Sequence, residues 1–317
     1  MSSRHLVAPE LLAVRQQLPS SLPITAETLP MIRAGSAAVL AGRPLPEFPG
    51  RTVSELYVPG PEGAPDVRVL LYRPTDTATA TPALLWLHGG GYISGGVDAE
   101  DIPVRETAAE LGCVVLSVDY RLAPETPHPG PVEDAYAALK WLHNHAGELG
   151  VDPERLAVAG SSAGGGLAAA LAVLARDRGE IPLAFQALNA PMLDDRTVLE
   201  NPPHPYTGEF IWTREANRFG WTALLGREPG GDGVSPYAAA ARAENLAGLP
   251  PALIAVGALD LFLEEDLEYA RRLIRSGVPT ELHVYPGTFH GYQMAAHARV
   301  TQTAKRDRMN AIRRALR

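Results

Sequence analysis

Cysteine is almost absent. The one in 317 residues, Cys113, excludes an intrachain disulfide, and its place in the apolar run CVVLSV marks a buried bystander rather than a reactive thiol. No run of about 18 apolar residues occurs, which excludes a membrane-spanning helix. The opening MSSRHLVAPELLAVRQQ lacks the basic-then-apolar pattern of a secretory signal, so a cytoplasmic location is expected. Positive charge is in deficit: 28 Lys and Arg against 36 Asp and Glu leave a net charge of −8. Such an acidic field attracts neither nucleic acid nor an anionic membrane. The nine histidines show no zinc spacing, since His143 and His145, two apart, would face different sides of a helix. No metal site is expected. There is no internal repeat and no low-complexity tract; TDTATAT (75–81) reads as a short loop.

What remains is the composition of an ordinary globular chain, 46% hydrophobic and 20% charged, long enough for a large core. Residues 1–45 read as helical, with apolar positions Leu11, Val14, Leu18, Met31, Ile32, Val39 and Leu40 broken by prolines at 19, 23 and 30. Alternating strands at Thr52–Tyr57 and Val67–Tyr72 flank the turn-rich PGPEGAPD and predict an antiparallel hairpin. After Pro82 the pattern becomes strand–helix alternation. The short, wholly apolar run at 83–87, the apolar-rich runs at 114–118, 183–188 and 252–257, and ELHVY at 281–285 predict strands. Helices are expected across Val132–His145, after the strand at Leu156–Ala159, across Glu264–Arg275, and from about Gly291 onward. This order implies a mostly parallel sheet with helices on both faces. The segment 194–225, long and rich in proline and aromatics, interrupts the pattern and reads as a lid that covers the sheet together with the N-terminal helices.

The chemistry gathers around RLAVAGSSAGGGLAA (155–169). A strand, an abrupt Gly-Ser-Ser-Ala-Gly turn and a helix make a Gly-x-Ser-x-Gly nucleophile elbow with Ser162 at its apex. Ser161 is the other serine of the turn, but only Ser162 has glycine at both minus two and plus two. Ligands bind at the carboxyl ends of strands in an open parallel sheet, so the residues after each strand matter most. His88-Gly89-Gly90-Gly91 follows 83–87, Ser162 follows 156–159, Asp260 follows 252–257, and His290 follows 281–285. A serine hydroxyl needs a base, for which His290 is the candidate, and Asp260 would orient and stabilise that imidazole. The amides of Gly90, Gly91 and Ala163 could converge on an oxyanion, with His88 and Gly89 supporting the loop. Rivals exist: Asp194, Asp195, Glu264, Glu265 and Asp266 for the acid, His283 and His297 for the base. The stretch from Tyr120 to Glu125 reads as a turn tied by Arg and Glu. Tyr92, Trp212, Phe219 and Trp221 are candidates for a substrate-pocket wall.

Together, His88-Gly89-Gly90-Gly91, the Asp119-to-Glu125 stretch DYRLAPE, the elbow from Gly160 to Gly165, Asp260 and Phe289-His290-Gly291 resemble the hormone-sensitive-lipase-like (family IV) esterases. The resemblance runs from about Arg51 onward. It implies an α/β-hydrolase core at 51–193 and 226–317, with a cap from residues 1–50 and 194–225. It also implies carboxylesterase action on small-molecule esters of short to medium acyl chain, without a cofactor, and in many members a homodimer. Two departures stand out: Ser161, where most members carry an acidic residue or threonine, and Leu261, where a proline often follows the acid. An amidase or deacetylase of an acylated small molecule would use the same residues. A non-catalytic ligand receptor on the same scaffold would lack the histidine, whereas His290 is present.

Overall fold

The computed structural model describes residues 2–17, 23–41, 44–45, 47–75 and 80–317. The expectations for Leu18 and Pro19, for the Val39 side chain and for most of the 75–81 loop fall outside the described residues. Eight strands form one sheet in the order β1-β2-β4-β3-β5-β6-β7-β8. They are β1 Arg51–Val58, β2 Val67–Pro74, β3 Thr81–Leu87, β4 Val114–Val118, β5 Val151–Ser161, β6 Phe185–Asn189, β7 Ala252–Gly257 and β8 Thr280–Tyr285. β2 runs antiparallel to β1, as the hairpin signal predicts, and also antiparallel to β4, while the pairs from β4 to β8 are parallel.

Alternation explains the apolar runs. In β3, Ala83, Leu85 and Leu87 pack into the core on one face of the sheet, while Leu84 and Trp86 pack into the core on the other. β5 divides likewise, Leu156 and Val158 against Ala157 and Ala159. A strand buried on both faces has few positions for a polar residue, and this is why β3 and the inner part of β5 read as unbroken hydrophobic stretches.

The helices supply the cover. On one face lie α4 (Gly130–Asn144), the one-turn α5 (Ala146–Leu149), α6 (Ala163–Arg178) and α8 (Leu263–Arg275); on the other lie α3 (Asp101–Leu111) and α9 (Arg299–Ala315). The helix expected from Gly291 begins only at Arg299. A 3-10 turn at Tyr292–Met294 and a short irregular stretch come first, because the chain leaving His290 must turn back before it can run along the sheet. The N-terminal region contains α1 (Leu12–Gln17) and α2 (Leu29–Ala41), and the 194–225 segment contains a 3-10 turn (Asp195–Leu199) and α7 (Arg214–Leu225). A third apolar cluster joins Val7 and Leu11 to Phe210, Phe289 and Tyr292, which ties these outer segments to the loop after β8. Among the described residues, no helix is long and apolar enough to cross a membrane. Cys113 is buried, and that burial pushes its thiol up to about 12.

Candidate active site

β5 delivers Ser162 to the carboxyl edge of the sheet, and α6 begins at the next residue. Between them the backbone at Ser162 takes φ 57° and ψ −122°, a conformation that costs a side-chain-bearing residue on the order of 1–3 kcal/mol. The surroundings hold it there: its amide donates to Asn189 O at 2.9 Å, and its carbonyl accepts from Met192 N and Gly166 N, each at 3.0 Å. The turn is so tight that a methyl group at position 164 would fall 2.1 Å from the Leu87 carbonyl oxygen, so glycine is required there.

His290 comes from the loop after β8 and Asp260 from the loop after β7. His290 Nδ1 lies 2.8 Å from Asp260 Oδ2, and His290 Nε2 lies 2.9 Å from Ser162 Oγ. A carboxylate only accepts, so Nδ1 carries the proton and Nε2 is left to accept from the serine hydroxyl. Asp260 is 1% exposed whereas Ser162 and His290 are each 9% exposed, so the orienting carboxylate is sealed while the two reacting groups stay within reach of solvent. Asp260 Oδ1 also accepts from Phe262 N at 3.1 Å, and the Phe262 ring meets the imidazole edge-on at 5.2 Å.

Four of the rivals are engaged elsewhere. Asp194 binds Arg196, and Asp195 binds Arg242 and Gly230 N. Glu265 accepts from Leu193 N and Thr197 Oγ1, and His283 pairs with Glu281. Burial pushes the Glu265 carboxyl well above the usual range, against the pull of these hydrogen bonds. Among the described residues, no group of three or more His, Cys, Asp or Glu could hold a metal ion.

The glycine loop after β3 lies beside the serine. Gly90 and Gly91 have φ of 122° and 64°, conformations open to glycine. Ala163 is the first residue of α6, so its amide points out of the positive end of a 16-residue helix. His88 braces the loop: its Nδ1 donates to Gly89 O at 2.8 Å, and its ring stacks on Tyr120 at 4.2 Å.

Of the four pocket aromatics, Trp212 alone is placed beside the triad. Its ring lies against Gly91 and 6.4 Å from the His290 ring, held by Nε1 donating to Asn217 Oδ1 at 3.0 Å. Tyr92 and Trp221 are fully buried in the main core with ring centroids 5.8 Å apart. Phe219 lines an outer hollow with Arg214, Arg218 and Glu228. Arg121 and Glu125 do not tie their turn to each other. Arg121 forks onto Asp134 of α4 at 2.7 and 2.8 Å, and Glu125 pairs with Arg33 of α2 at 2.7 Å, because their side chains leave the turn in different directions.

Three polar residues near the site carry no signal in the sequence. Asn189 at the end of β6 donates to Ser161 Oγ at 2.9 Å and accepts from Gln293 at 3.4 Å, and Glu100 receives Gly89 N at 2.8 Å. Each reaches the site only through folding.

A serine, histidine and aspartate in hydrogen-bonded sequence at the carboxyl edge of such a sheet are the arrangement expected of the α/β-hydrolase class. The chain belongs to that family, whose α/β-hydrolase-fold model matches residues 84–294, and within it to the hormone-sensitive-lipase-like branch. It is 39% identical over 253 residues to esterase LipI of Mycobacterium tuberculosis, covering 78% of this chain and 77% of that one. To carboxylesterase NlhH of the same species it is 34% identical over 297 residues, 92% of each chain. The solved structure titled bacterial heroin esterase superposes with a TM-score of 0.92 at 43% identity, over 99% of both chains.

Proposed function

We propose that this chain is a serine carboxylesterase that hydrolyses short- to medium-chain esters of small molecules through an acyl-enzyme. The observation that carries the reading is the continuous line from Asp260 through His290 to Ser162, with contacts of 2.8 and 2.9 Å. Ser162 Oγ attacks the acyl carbon as its proton passes to His290 Nε2, and negative charge builds on the carbonyl oxygen. The Gly90, Gly91 and Ala163 amides take up that charge; one such donor contributes roughly 3–4 kcal/mol to the transition state. The ester C–O bond then breaks, and the alcohol leaves with the proton held by His290. Water gives a proton to the freed Nε2 and attacks the acyl-serine, which releases the acid and restores the serine hydroxyl. Asp260 stays ionised throughout and stabilises the imidazolium. The names of LipI, NlhH and the heroin esterase structure agree with this chemistry. Trp212, seated over Gly91 near the imidazole, favours a short acyl group by occupying space that a longer chain would need.

The test is turnover of 4-nitrophenyl acetate beside the matched acetanilide. The purified chain should cleave the ester far faster than the anilide, and Ser162→Ala should remove turnover by a factor on the order of 10⁶ while leaving the circular dichroism unchanged. An anilide cleaved as fast as the ester would point to an amidase, and residual ester turnover within tenfold of the parent chain would remove Ser162 from the mechanism.

A further inference from the structure

Glu100 is the residue that opens α3, the position from which a side chain normally accepts the helix's own amides. It makes no such cap. Its carboxylate turns instead toward the glycine loop: Oε1 accepts from Gly89 N at 2.8 Å and Oε2 from Trp86 Nε1 at 2.5 Å. The opposite pole of the same peptide unit is also held, because Tyr120 Oη donates to the His88 carbonyl at 2.7 Å. The peptide joining His88 to Gly89 is therefore gripped at its N–H and at its C=O, immediately before Gly90 and Gly91, the two glycines proposed to donate to the oxyanion. The site is close: a methyl group at position 89 would lie 3.5 Å from both Glu100 Oε1 and Ser162 Cβ.

We infer that Glu100 is a positioning residue of the oxyanion loop, fixing with Tyr120 the His88–Gly89 peptide so that the Gly90 and Gly91 amides stay aimed at the developing oxyanion. The inference rests on the esterase reading above. A carboxylate suits the task because both partners are donors, and two acceptor oxygens satisfy both at once. A negative charge near an oxyanion would by itself oppose catalysis. Here it is offset by the two donors and by the Arg308 guanidinium, which lies 5.5 Å over the Trp86 ring and is electrostatically coupled to Glu100. If charge outweighed orientation, neutralising Glu100 would speed the reaction.

The experiment compares Glu100→Ala and the isosteric Glu100→Gln with the parent chain in 4-nitrophenyl acetate hydrolysis. It also measures inhibition by an aryl trifluoromethyl ketone, which adds to the serine and presents an oxyanion. Loss of loop alignment should lower kcat of Glu100→Ala by about 10–100-fold, less than removal of a whole donor, and raise the inhibitor Ki by a similar factor. KM should stay within about threefold, as for an interaction made only in the transition state. Glu100→Gln, with one acceptor oxygen left, should fall between. Tyr72→Phe serves as control: it removes a 2.6 Å contact to Asp101 at the start of the same helix without touching the loop, and should leave kcat unchanged. The inference is overturned if both Glu100 variants keep kcat and Ki within twofold, if Glu100→Gln is faster than the parent, or if Tyr72→Phe loses as much kcat as Glu100→Ala. A parent chain with no esterase turnover would instead overturn the function on which the inference stands.

Discussion

At the scale of single residues, the candidate site divides a sealed carboxylate from a less buried hydroxyl and imidazole. Asp260 is closed off from water, so its charge acts on the imidazole in a medium where an ionic contact is strong. Asp260→Asn keeps the shape but leaves the wrong tautomer at His290, and kcat should fall about 10⁴-fold with KM little changed, as steady-state kinetics on an aryl acetate would show. A decline of less than tenfold would mean that the orienting group lies elsewhere. Ser162, Asp260 and His290 are legible in the sequence because each lies in the turn or loop that follows a readable strand, and the sheet brings those strand ends together. Glu100 is not legible: VDAED offers Asp98, Glu100 and Asp101 as equals, and Arg68 takes Asp98 while Tyr72 and Arg105 take Asp101. The same holds for Ser161. Its neutral hydroxyl accepts from the neutral amide of Asn189, so the elbow keeps a hydrogen bond at the position where the resemblance leads one to expect an acidic residue or threonine.

At the scale of elements, α8 holds a chemical oddity beside the acid of the triad. Its first turn presents Glu264, Glu265 and Asp266 to the helix's positive end, yet Asp266 is completely buried and neither carboxylate oxygen has a hydrogen-bond partner. Burial pushes its carboxyl well above the ordinary value of 3.8, with the charges of Glu265 and Asp260 acting in the same direction. The folded state therefore holds the proton more tightly than the unfolded chain does. Whatever stability this group supports is fully present below its unfolded value and is lost as pH rises toward the folded one. Asp266→Asn, neutral at every pH, should raise Tm by several degrees at pH 8.5, about 2–4 °C for each kcal/mol recovered, and by clearly less at pH 5. Equal gains at both pH values, or a loss at pH 8.5, would contradict the assignment. Elements with strong periodicity, such as β3, β4, β7, α4 and α8, are readable from the sequence. The start of α9 is not, because the turn after His290 is dictated by the loop's return to the sheet. Nor is α3, where Pro103 and the charges of DIPVRETAAEL hide a helix whose buried residues are Asp101, Val104, Thr107 and Ala108.

At the scale of the whole molecule, one sheet edge gathers four loops, and two outer segments make contacts with them. Arg33 of α2 donates to Ile93 O at 2.7 Å and to Ala123 O at 2.8 Å, and so joins the N-terminal region to the glycine loop and its neighbour. Glu209 of the 194–225 segment accepts from Ser3 N at 2.5 Å and from Ser2 Oγ at 3.0 Å. The two segments that the sequence marks as a cap thus touch each other as well as the core. The parallel sheet was legible because strands buried on both faces admit few polar residues. The strand order was not, since the insertion of β4 between β2 and β3 depends on crossover geometry rather than on composition.

All of this converges on one hydroxyl, Ser162 Oγ, in a turn that offers two. Diethyl 4-nitrophenyl phosphate reacts with an activated serine and stays attached, so peptide mass spectrometry of the inhibited protein tests the account directly. One diethylphosphoryl group per chain on Ser162, appearing in step with the loss of esterase activity, is the predicted result. A label on Ser161 or another residue, or full inactivation with Ser162 unmodified, would contradict it.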